Sequence, residues 1–333
     1  MTEHNEHASA EDSLIARYFR PLATDPGAFG LIDDAAILKA SGEDIVVTTD
    51  AIVEGVHFLP DDPPDTIARK ALRVNLSDLA AKGATPAGFV LTLALRAADD
   101  AWLKPFAHGL GEDAGLFGCP LLGGETVSTP GPLMISITAF GRVPVGKMVH
   151  RSGAKPGDRV VVTGTIGDAA LGLDILTQGA VAAVIADNVA ATAMLVDRYR
   201  VPQPRNALAK AVRDHAHAAM DVSDGLAGDL AKLCAASGVS AVIDIKSIPL
   251  SAAATVLLAR GTIGIEAMVS GGDDYEILCA IPENRFDAFA QQAGLAGVAV
   301  TSIGTVIAGT AAPRFLDVQG RQIELPRLSY SHF

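Results

Sequence analysis

The sequence contains few cysteines and few aromatic residues. Only 3 of its 333 residues are cysteine, and 5% are aromatic. Cys119, Cys234 and Cys279 lie far apart and form no CxxC pair. Their odd number argues against a disulfide framework and favours small buried side chains in a reducing compartment. Because aromatic residues are scarce, aliphatic residues and alanine must fill the core.

Positive charge and long hydrophobic runs are also scarce. The net charge is -12 and the pI is near 5.0, which argues against a nucleic-acid-binding protein, since such proteins need a basic surface. The apolar run at residues 89–95 has the length of a strand, and the alanine-rich run at 180–196 has charged residues nearby, so neither can span a bilayer. The first twelve residues lack the apolar region of a signal peptide, so we expect a cytoplasmic protein.

Several common catalytic motifs are missing. No GxGxxG follows a predicted strand, and there is no GxSxG, HExxH or kinase HRD motif. Residues 141–148 resemble a phosphate-binding P-loop, but Met148 follows Lys147 where a serine or threonine would reach Mg²⁺. We therefore do not interpret this segment as a P-loop.

The length and composition predict a two-domain globular protein. Hydrophobic residues make up 49% of the chain and charged residues 19%, and 333 residues can form two cores. Proline, glycine and basic residues accumulate between 143 and 158, which predicts an N-terminal domain of residues 1–150 and a C-terminal domain of residues 151–333. Strands and helices are predicted in both halves, which indicates the α/β (α+β) class.

The hydrophobic periodicity predicts seven helices and eight strands. The predicted helices are 13–19, 66–82, 101–117, 167–177, 206–217, 226–236 and 283–292. The predicted strands are 45–49, 89–95, 133–143, 159–163, 219–222, 239–245, 275–281 and 298–306. Gly83 is expected to end the second helix, on which Asn75 and Asp78 share one face.

Acidic residues recur beside small residues in six short segments, most of which we expect at turns. The segments are Asp33-Asp34, Thr48-Thr49-Asp50, Asn75-Leu76-Ser77-Asp78, Gly123-Gly124-Glu125-Thr126, Asp221-Val222-Ser223-Asp224-Gly225 and Gly271-Gly272-Asp273-Asp274. Mg²⁺ prefers oxygen ligands and usually binds through one or two carboxylates together with substrate phosphates. The pattern predicts an enzyme that handles phosphates with several metal ions.

Most of these segments also have a structural alternative. A predicted strand that ends at Asp50 presents oxygens to a ligand, or it is capped by a turn. Asp224 is either a ligand or the N-cap of the next helix, whereas Asp221 at a strand end has no such alternative role. A lone His57 is more often structural, and Arg151 is either a phosphate clamp or a solvated loop residue.

Taken in order, these segments resemble the thiamine-monophosphate kinase family over nearly the whole chain. The matching segments are 13–19, 49–58, 74–81, 151–158, 221–225 and 270–276. Each is weak or moderate alone, but their joint order and spacing are highly specific. The family belongs to the aminoimidazole ribonucleotide synthetase superfamily of ATP-using enzymes.

The resemblance implies a fold, a reaction and a set of partners. The expected fold is two-domain and aminoimidazole ribonucleotide synthetase-like, with an N-terminal domain that forms a shared sheet or barrel in a homodimer and a C-terminal α/β domain. ATP and thiamine monophosphate are expected in the cleft between the domains, held by several Mg²⁺ ions. The implied reaction gives ADP and thiamine diphosphate, as the last step of thiamine diphosphate biosynthesis.

The resemblance also assigns roles to individual residues. The implied metal ligands are Asp34, Thr48, Thr49, Asp50, Asp78, Glu125, Asp221 and Asp224. The implied ATP contacts are Gly124, Glu125, Arg151 and Ser223. The implied substrate contacts are His57 and Asp273. The family also places an aromatic residue against the thiamine ring, for which Tyr330 is the candidate, although direct alignment on the C-terminal His-Phe gives Arg327 or Leu328 there. Asp50 and Asp221 are the residues expected to act in catalysis, by holding metal ions rather than as covalent nucleophiles.

Three positions depart from the family pattern. Ile32 stands where a glycine usually precedes the paired aspartates, Glu125 where an aspartate is usual, and Asp273 where a glutamate is usual. Glutamate keeps the oxygen chemistry with one more methylene, so the distance to a metal ion changes.

Two other functions remain as alternatives. One is another ATP-using enzyme of the same superfamily, and the other is a non-catalytic binder of thiamine phosphates or nucleotides. Selenophosphate synthetase needs a reactive cysteine near its N-terminus, whereas the first cysteine here is Cys119. A hydrogenase-maturation dehydratase ends in cysteine, whereas this chain ends in Phe333. Retention of nearly every expected metal position disfavours a simple binder.

Overall fold

The computed structural model describes residues 14–31, 38–39 and 42–325, so the predicted site residues Asp34 and Tyr330, as well as Ile32, lie outside the described residues. The chain divides into two compact units. The first contains the described residues up to Leu76 together with Pro86–Val145, and the second contains Ser77–Thr85 together with the described residues from Gly146 onward.

The segment Ser77–Thr85 belongs to the second unit although it precedes part of the first in sequence. Its side chains explain why, because the Ser77 hydroxyl donates to the Tyr275 carbonyl at 3.5 Å and the Lys82 ammonium donates to the Ala219 carbonyl at 2.8 Å. The end of one helix thereby joins the elements that carry Asp221.

The first unit is built on a four-stranded sheet and two long helices. The strands are Glu43–Val53 (β1), Thr85–Leu95 (β2), Leu121–Ser128 (β3) and Met134–Pro144 (β4), in the order β1-β4-β2-β3. The helices are Pro64–Ala81 (α1) and Asp100–Leu116 (α2). β1 pairs antiparallel with β4 along all of its residues, and β2 pairs parallel with β3. Alternate residues of β4 are buried, which leaves its other face toward solvent in the described chain.

The second unit is built on a six-stranded sheet. Its strands are Arg159–Thr163 (β5), Ala218–Asp221 (β6), Val239–Asp244 (β7), Ile277–Ile281 (β8), Val300–Ala308 (β9) and Arg314–Leu316 (β10), in the order β10-β7-β9-β5-β8-β6. Its helices are Asp168–Leu176 (α3), Ala180–Ile185 (α4), Val189–Arg200 (α5), Ala209–His215 (α6), Leu226–Ser237 (α7), Ala252–Ala259 (α8), Ile265–Val269 (α9) and Phe286–Leu295 (α10). Val160 and Val162 pack in one apolar core and Val161 in another, as the alternation of a sheet covered on both faces requires.

Two expectations about local structure are wrong. The predicted strand end at Asp50 lies inside β1, and the predicted turn at 123–126 lies inside β3. In β1, the polar residues are tolerated mid-strand because their side chains are partly or fully exposed. In β3, Gly124 allows close strand approach rather than a turn, since a Cβ there would lie 2.0 Å from the Leu91 carbonyl oxygen.

The mixed α/β class is confirmed, and several elements were not predicted. These are α4, α5, α8, α9, β3 and β10. The described part of helix 13–19 is a single π-helical turn, Ile15–Phe19. Within the described ranges, no helix combines the length and the apolar character needed to cross a bilayer.

Candidate active site

The predicted residues of β1 do not all point the same way. Side chains alternate along a strand, so Thr48 and Asp50 share one face and Thr49 lies on the other. The Thr49 hydroxyl donates to the Ile137 carbonyl at 3.2 Å and accepts from the Thr138 hydroxyl at 3.0 Å. Thr49 is thus already bonded to β4, whereas Thr48 and Asp50 lie on the other face of the strand.

A buried asparagine on α1 fixes the backbone at Asp50. The Asp50 amide donates to the Asn75 side-chain oxygen at 3.1 Å, and the Asn75 amide group donates to the Ala71 carbonyl at 3.1 Å. Asn75 is fully buried. This contact explains why the Asn75-Leu-Ser-Asp78 segment carries an asparagine three residues before its acid.

His57 lies on a tight turn after β1. Its Nδ1 accepts a hydrogen bond from the Val53 amide at 3.1 Å, and its carbonyl accepts from the buried Lys70 ammonium at 2.8 Å. Because Nδ1 is the acceptor, the proton of the neutral ring lies on Nε2. The turn therefore fixes the orientation of the imidazole ring, with its N–H at Nε2.

Gly124 and Glu125 lie on β3 of the same unit. Both are exposed, and the Glu125 carboxylate accepts from the Thr126 amide at 3.1 Å. Gly124 cannot carry a side chain here without displacing the backbone of β2. The missing side chain at Gly124 therefore serves the close pairing of β3 with β2.

In the second unit, charged groups surround the end of β6. Asp78 and Lys82 stand one helical turn apart, and Lys82 donates to Ala219, which lies two residues before Asp221. Burial lowers the pKa of Lys82 below its ordinary 10.5, while the charges of Asp221 and Asp78 oppose that shift and Arg151 adds to it. Asp78, Arg151 and Asp221 thus each lie close enough to Lys82 to affect its pKa.

Asp221 ends β6, as predicted, and two loops run side by side beyond it. The Asp273 amide donates to the Ser223 carbonyl and the Tyr275 amide to the Val222 carbonyl, both at 2.8 Å. A Cβ at Gly272 would lie 2.6 Å from the Ser223 carbonyl oxygen. The loop after β6 and the double-glycine loop are therefore one bonded structure, and it brings Asp273 beside Ser223.

The double-glycine loop has an unusual backbone. Asp273 and Tyr275 adopt φ values of 71° and 50°, which L-residues seldom adopt. Such conformations persist where the surrounding structure enforces them, and they are common at functional sites. Here the Asp273 and Tyr275 amides donate to the carbonyls of the loop after β6, and these hydrogen bonds hold the backbone in place.

Asp224 is not the N-cap of the following helix. That cap is Gly225, with no side-chain cap hydrogen bond, and Asp224 instead accepts from the Lys232 ammonium at 2.5 Å. Asp229, one turn into α7 and fully buried, accepts from the amides of Ser223 and Asp224 at 3.0 Å each and from Lys232 at 2.8 Å. Asp229 thus holds the loop, and sequence analysis missed it.

Burial raises the pKa of Asp229 above its ordinary 3.8, against the opposing effect of Lys232. Burial alone would lower the pKa of Lys232, but hydrogen bonds to Asp224 and Asp229 outweigh it and raise the pKa above its ordinary 10.5. Lys232 is therefore an ammonium ion at neutral pH.

A second buried acid, Glu276, ties this region to the core. It accepts from Thr163 at 2.6 Å, from Arg198 at 2.8 Å and, through both of its oxygens, from Arg205. Its neighbour Asp274 is also fully buried and accepts from the Gly167 amide at 2.8 Å. Sequence analysis did not assign either carboxylate, because their partners lie 71 to 113 residues away.

Arg151 lies on the loop that opens the second unit. Its carbonyl accepts from the Ser237 hydroxyl at 3.4 Å, and that hydroxyl accepts from the Gly153 and Ala154 amides at 3.2 Å each. Ser237 therefore fixes the backbone of this loop. The Arg151 side chain itself is exposed.

The donor chemistry matches a hard cation. The candidate ligands offer carboxylate and hydroxyl oxygens, which suit Mg²⁺ and not zinc or copper. Among the residues that the structure describes, no three His, Cys, Asp or Glu side chains gather closely enough to hold a metal ion by themselves. Ions bound here would therefore complete their shells with water and substrate phosphates, as Mg²⁺ usually does.

Comparison with known proteins gives the family. Residues 32–143 match the N-terminal domain model of AIR synthase related proteins, and residues 155–313 match the C-terminal domain model. The thiamine-monophosphate kinase of Caulobacter vibrioides is 45% identical over 96% of this chain and 89% of its own length.

Solved structures agree with the sequence comparison. The crystal structure of thiamine-monophosphate kinase from Stenotrophomonas maltophilia is 36% identical and covers 96% of this chain and 98% of its own, with a TM-score of 0.80. A structure described as AaThiL complexed with AMPPCP and TMP is 29% identical, covers 92% and 97% of the two chains, and has a TM-score of 0.76. The predicted two-domain aminoimidazole ribonucleotide synthetase-like fold is confirmed, and the chain belongs to the thiamine-monophosphate kinase family.

Proposed function

We propose that this chain transfers the γ-phosphoryl group of ATP to thiamine monophosphate, which gives thiamine diphosphate and ADP. The observation that carries this function is the 45% identity to a thiamine-monophosphate kinase across 96% of the chain. The AaThiL structure, with an ATP analogue and TMP bound, supports the same pair of substrates. No feature of the described residues favours a non-catalytic binder or another superfamily reaction.

The chemistry requires little proton transfer. The acceptor is a phosphate whose second pKa is about 6, so it is mostly a dianion at pH 7 and needs no general base. The obstacle is repulsion between this dianion and the ATP phosphates, so catalysis is mainly positioning and electrostatic stabilisation. This accounts for a site with many carboxylates and no assigned nucleophilic side chain.

The carboxylates have the role of holding Mg²⁺. When bound, Mg²⁺ neutralises the charge on both reactants and helps align them in line. In the first unit, Thr48, Asp50 and Glu125 offer oxygens, and in the second unit, Asp78 and Asp221 do so. Asp34, Thr49 and Asp224 complete the proposed set, although Thr49 is bonded to β4 and Asp224 to Lys232.

The remaining residues bind and orient the two substrates. Arg151 would pair with ATP phosphate oxygens, and the loop at Ser223 and the strand at Gly124 would contact the nucleotide. The Nε2–H of His57 would donate to the phosphate of thiamine monophosphate, with Asp273 and Tyr330 as further substrate contacts. The fixed backbone at Ser223 and Asp273 supports a preorganised site.

We also propose a homodimer and a cytoplasmic location. The family resemblance supports the dimer, and β1 presents Ile45 and Val47 on one face with exposures of 38% and 57%, next to Phe140 of β4. Such exposed apolar residues on a sheet are typical of an interaction surface. The three cysteines are free and buried, which suits a reducing compartment.

An assay of ADP release tests the function. Purified protein, ATP and Mg²⁺ are mixed with thiamine monophosphate or, as the control, with free thiamine. ADP and thiamine diphosphate should form with the monophosphate alone, because the acceptor must be a phosphate dianion. Equal ADP release with both compounds or with neither would contradict the proposed function.

A further inference from the structure

Lys232 is the feature of this region that the proposed function does not use. It lies on α7, two turns after Asp224, and its ammonium bridges the carboxylates of Asp224 and Asp229 at 2.5 Å and 2.8 Å. Asp229 also accepts the amides of Ser223 and Asp224 through its other oxygen. Both Asp229 oxygens are therefore committed to contacts inside the chain.

Asp224 is in a different position from Asp229. Its side chain is 36% exposed, that of Asp229 is fully buried, and that of Lys232 is 39% exposed. Among the described residues, Lys232 is the ion-pair partner of Asp224. The carboxylate proposed to bind a metal ion thus already has a positive charge on one of its oxygens.

A lysine ammonium is a compact, strongly hydrated point charge on a flexible stem, so it resembles a small cation attached to the chain. It cannot share its carboxylate oxygen with Mg²⁺ without strong repulsion. A metal ion at Asp224 must therefore displace Lys232 or bind beside a like charge.

We propose that Lys232 is a tethered cation that occupies Asp224 and replaces a metal ion there. This inference rests on the proposed function and revises one assignment in it, since Lys232 rather than a metal ion then balances the Asp224 carboxylate. The chain then balances the charge of Asp224 with its own lysine, and its active site binds fewer divalent ions than its carboxylates would suggest.

Counting bound ions tests this directly, without any turnover. Protein is dialysed to equilibrium against Mn²⁺ with a non-hydrolysable ATP analogue at equal concentration in both chambers. Lys232→Gln should bind one more ion per chain, or bind its weakest ion about tenfold more tightly, the size expected when one neighbouring like charge is removed. Lys232→Arg keeps the charge and should match the wild type.

Two controls localise the effect. Lys210→Gln removes an exposed lysine that pairs with Asp214 on another helix, and it should bind Mn²⁺ like the wild type. Adding Asp224→Asn to Lys232→Gln should abolish the gain, because the vacated carboxylate is then lost. Thermal unfolding of each variant establishes that it is folded.

The sign of the change separates this role from a merely structural one. If Lys232 only held Asp229 and the loop, its loss would leave Mn²⁺ binding unchanged or weaken it, and either result would overturn the inference. If the inference fails in this way but the wild-type protein still binds Mn²⁺ above the level of the control chamber, the proposed metal sites remain supported. No binding above the control chamber by any of the proteins would overturn both.

Discussion

At the scale of single residues, the fully buried carboxylates have structural tasks, whereas the proposed metal ligands range from buried Asp221 to exposed Asp50. Asp229, Asp274 and Glu276 are fully buried, and each accepts hydrogen bonds that hold a loop or join distant segments. Asp50 and Glu125 are exposed and remain accessible to ligands. The acids that hold the loops of the site in place are thus distinct from those proposed to bind metal ions.

The proposed metal ligands give the first prediction. Asp50→Asn and Asp221→Asn should each lower kcat at least about 100-fold, comparable to the loss of a main electrostatic stabiliser, because a neutral amide holds Mg²⁺ poorly. Circular dichroism should show an intact fold. Asp214→Asn, at a surface pair with Lys210, should leave kcat unchanged. Wild-type rates in both site variants at saturating Mg²⁺ would rule out the assignment.

Asp274 gives a prediction about pH. Burial raises its pKa well above the ordinary 3.8, against the opposing effects of the Gly167 amide and Arg198. Above pH 3.8, the folded protein retains a proton that the unfolded chain has released, so this group makes the free energy of unfolding fall as pH rises toward the folded-state pKa. Below 3.8, both states are protonated and the effect vanishes.

The variant Asp274→Asn keeps an oxygen for the Gly167 amide and removes this titration. Its free energy of unfolding, measured by urea denaturation from pH 4 to pH 8, should therefore fall less with rising pH than that of the wild type. A difference between the two proteins that stays constant across this range would show that Asp274 does not retain its proton in the folded state.

At the scale of elements, close backbone approach determines where glycine is required. Gly123 and Gly124 are neighbours on β3, yet a Cβ at Gly123 meets nothing within 4 Å, whereas one at Gly124 would lie 2.0 Å from the Leu91 carbonyl oxygen. The sequence alone makes the two glycines equivalent, which is why the segment resembles a turn. Only the parallel pairing of β2 with β3 distinguishes them.

These neighbours form a matched pair of variants. Gly124→Ala should lower the free energy of unfolding by about 2 kcal/mol, since an added methyl group must push two strands apart. Gly123→Ala should change it little, because its Cβ enters open space. The comparison is made by urea denaturation. Equal destabilisation by the two changes would contradict the described pairing at Leu91.

Elements with clear local signals were predictable, and others were not. Strand β5 has its predicted bounds, and α1 differs from its prediction by two residues at the start and one at the end, where Gly83 follows with φ of +70°. The alanine-rich α4 and α8 have little polar periodicity to mark a helix face. The strand interior at Thr48-Thr49-Asp50 depends on pairing with β4, a long-range contact that local pattern does not reveal.

At the scale of the whole molecule, the sequence indicated the family but not the supports of its site. The order of six short segments was enough to predict the two-domain fold and the reaction. Glu276 and its partners were missed because Thr163, Arg198 and Arg205 meet it from 71 to 113 residues away. Asp229 and Lys232 were missed because their spacing on one helix is typical of an ordinary surface ion pair.

The proposed homodimer predicts a specific surface variant. Light scattering should give the wild type twice the 34.2 kDa mass of one chain. Val47→Asp should give the mass of a single chain. The exposed apolar face of β1 would then carry a carboxylate, which a dimer built on this face would have to bury without a partner. Val256→Asp, at a valine of similar exposure in the second unit, should remain a dimer. A wild-type protein of single-chain mass at micromolar concentration would refute the dimer.

The central claim is that the chain transfers a phosphoryl group directly from ATP to a phosphate acceptor. Its carboxylates hold cations and do not act as nucleophiles on the γ-phosphate. The most direct test is a single-turnover reaction of the purified protein with ATP labelled at the γ-phosphate, Mg²⁺ and thiamine monophosphate. The account predicts label in the terminal phosphate of thiamine diphosphate and none on the protein at any time. Labelled protein, or unlabelled thiamine compounds after all the ATP is consumed, would contradict it.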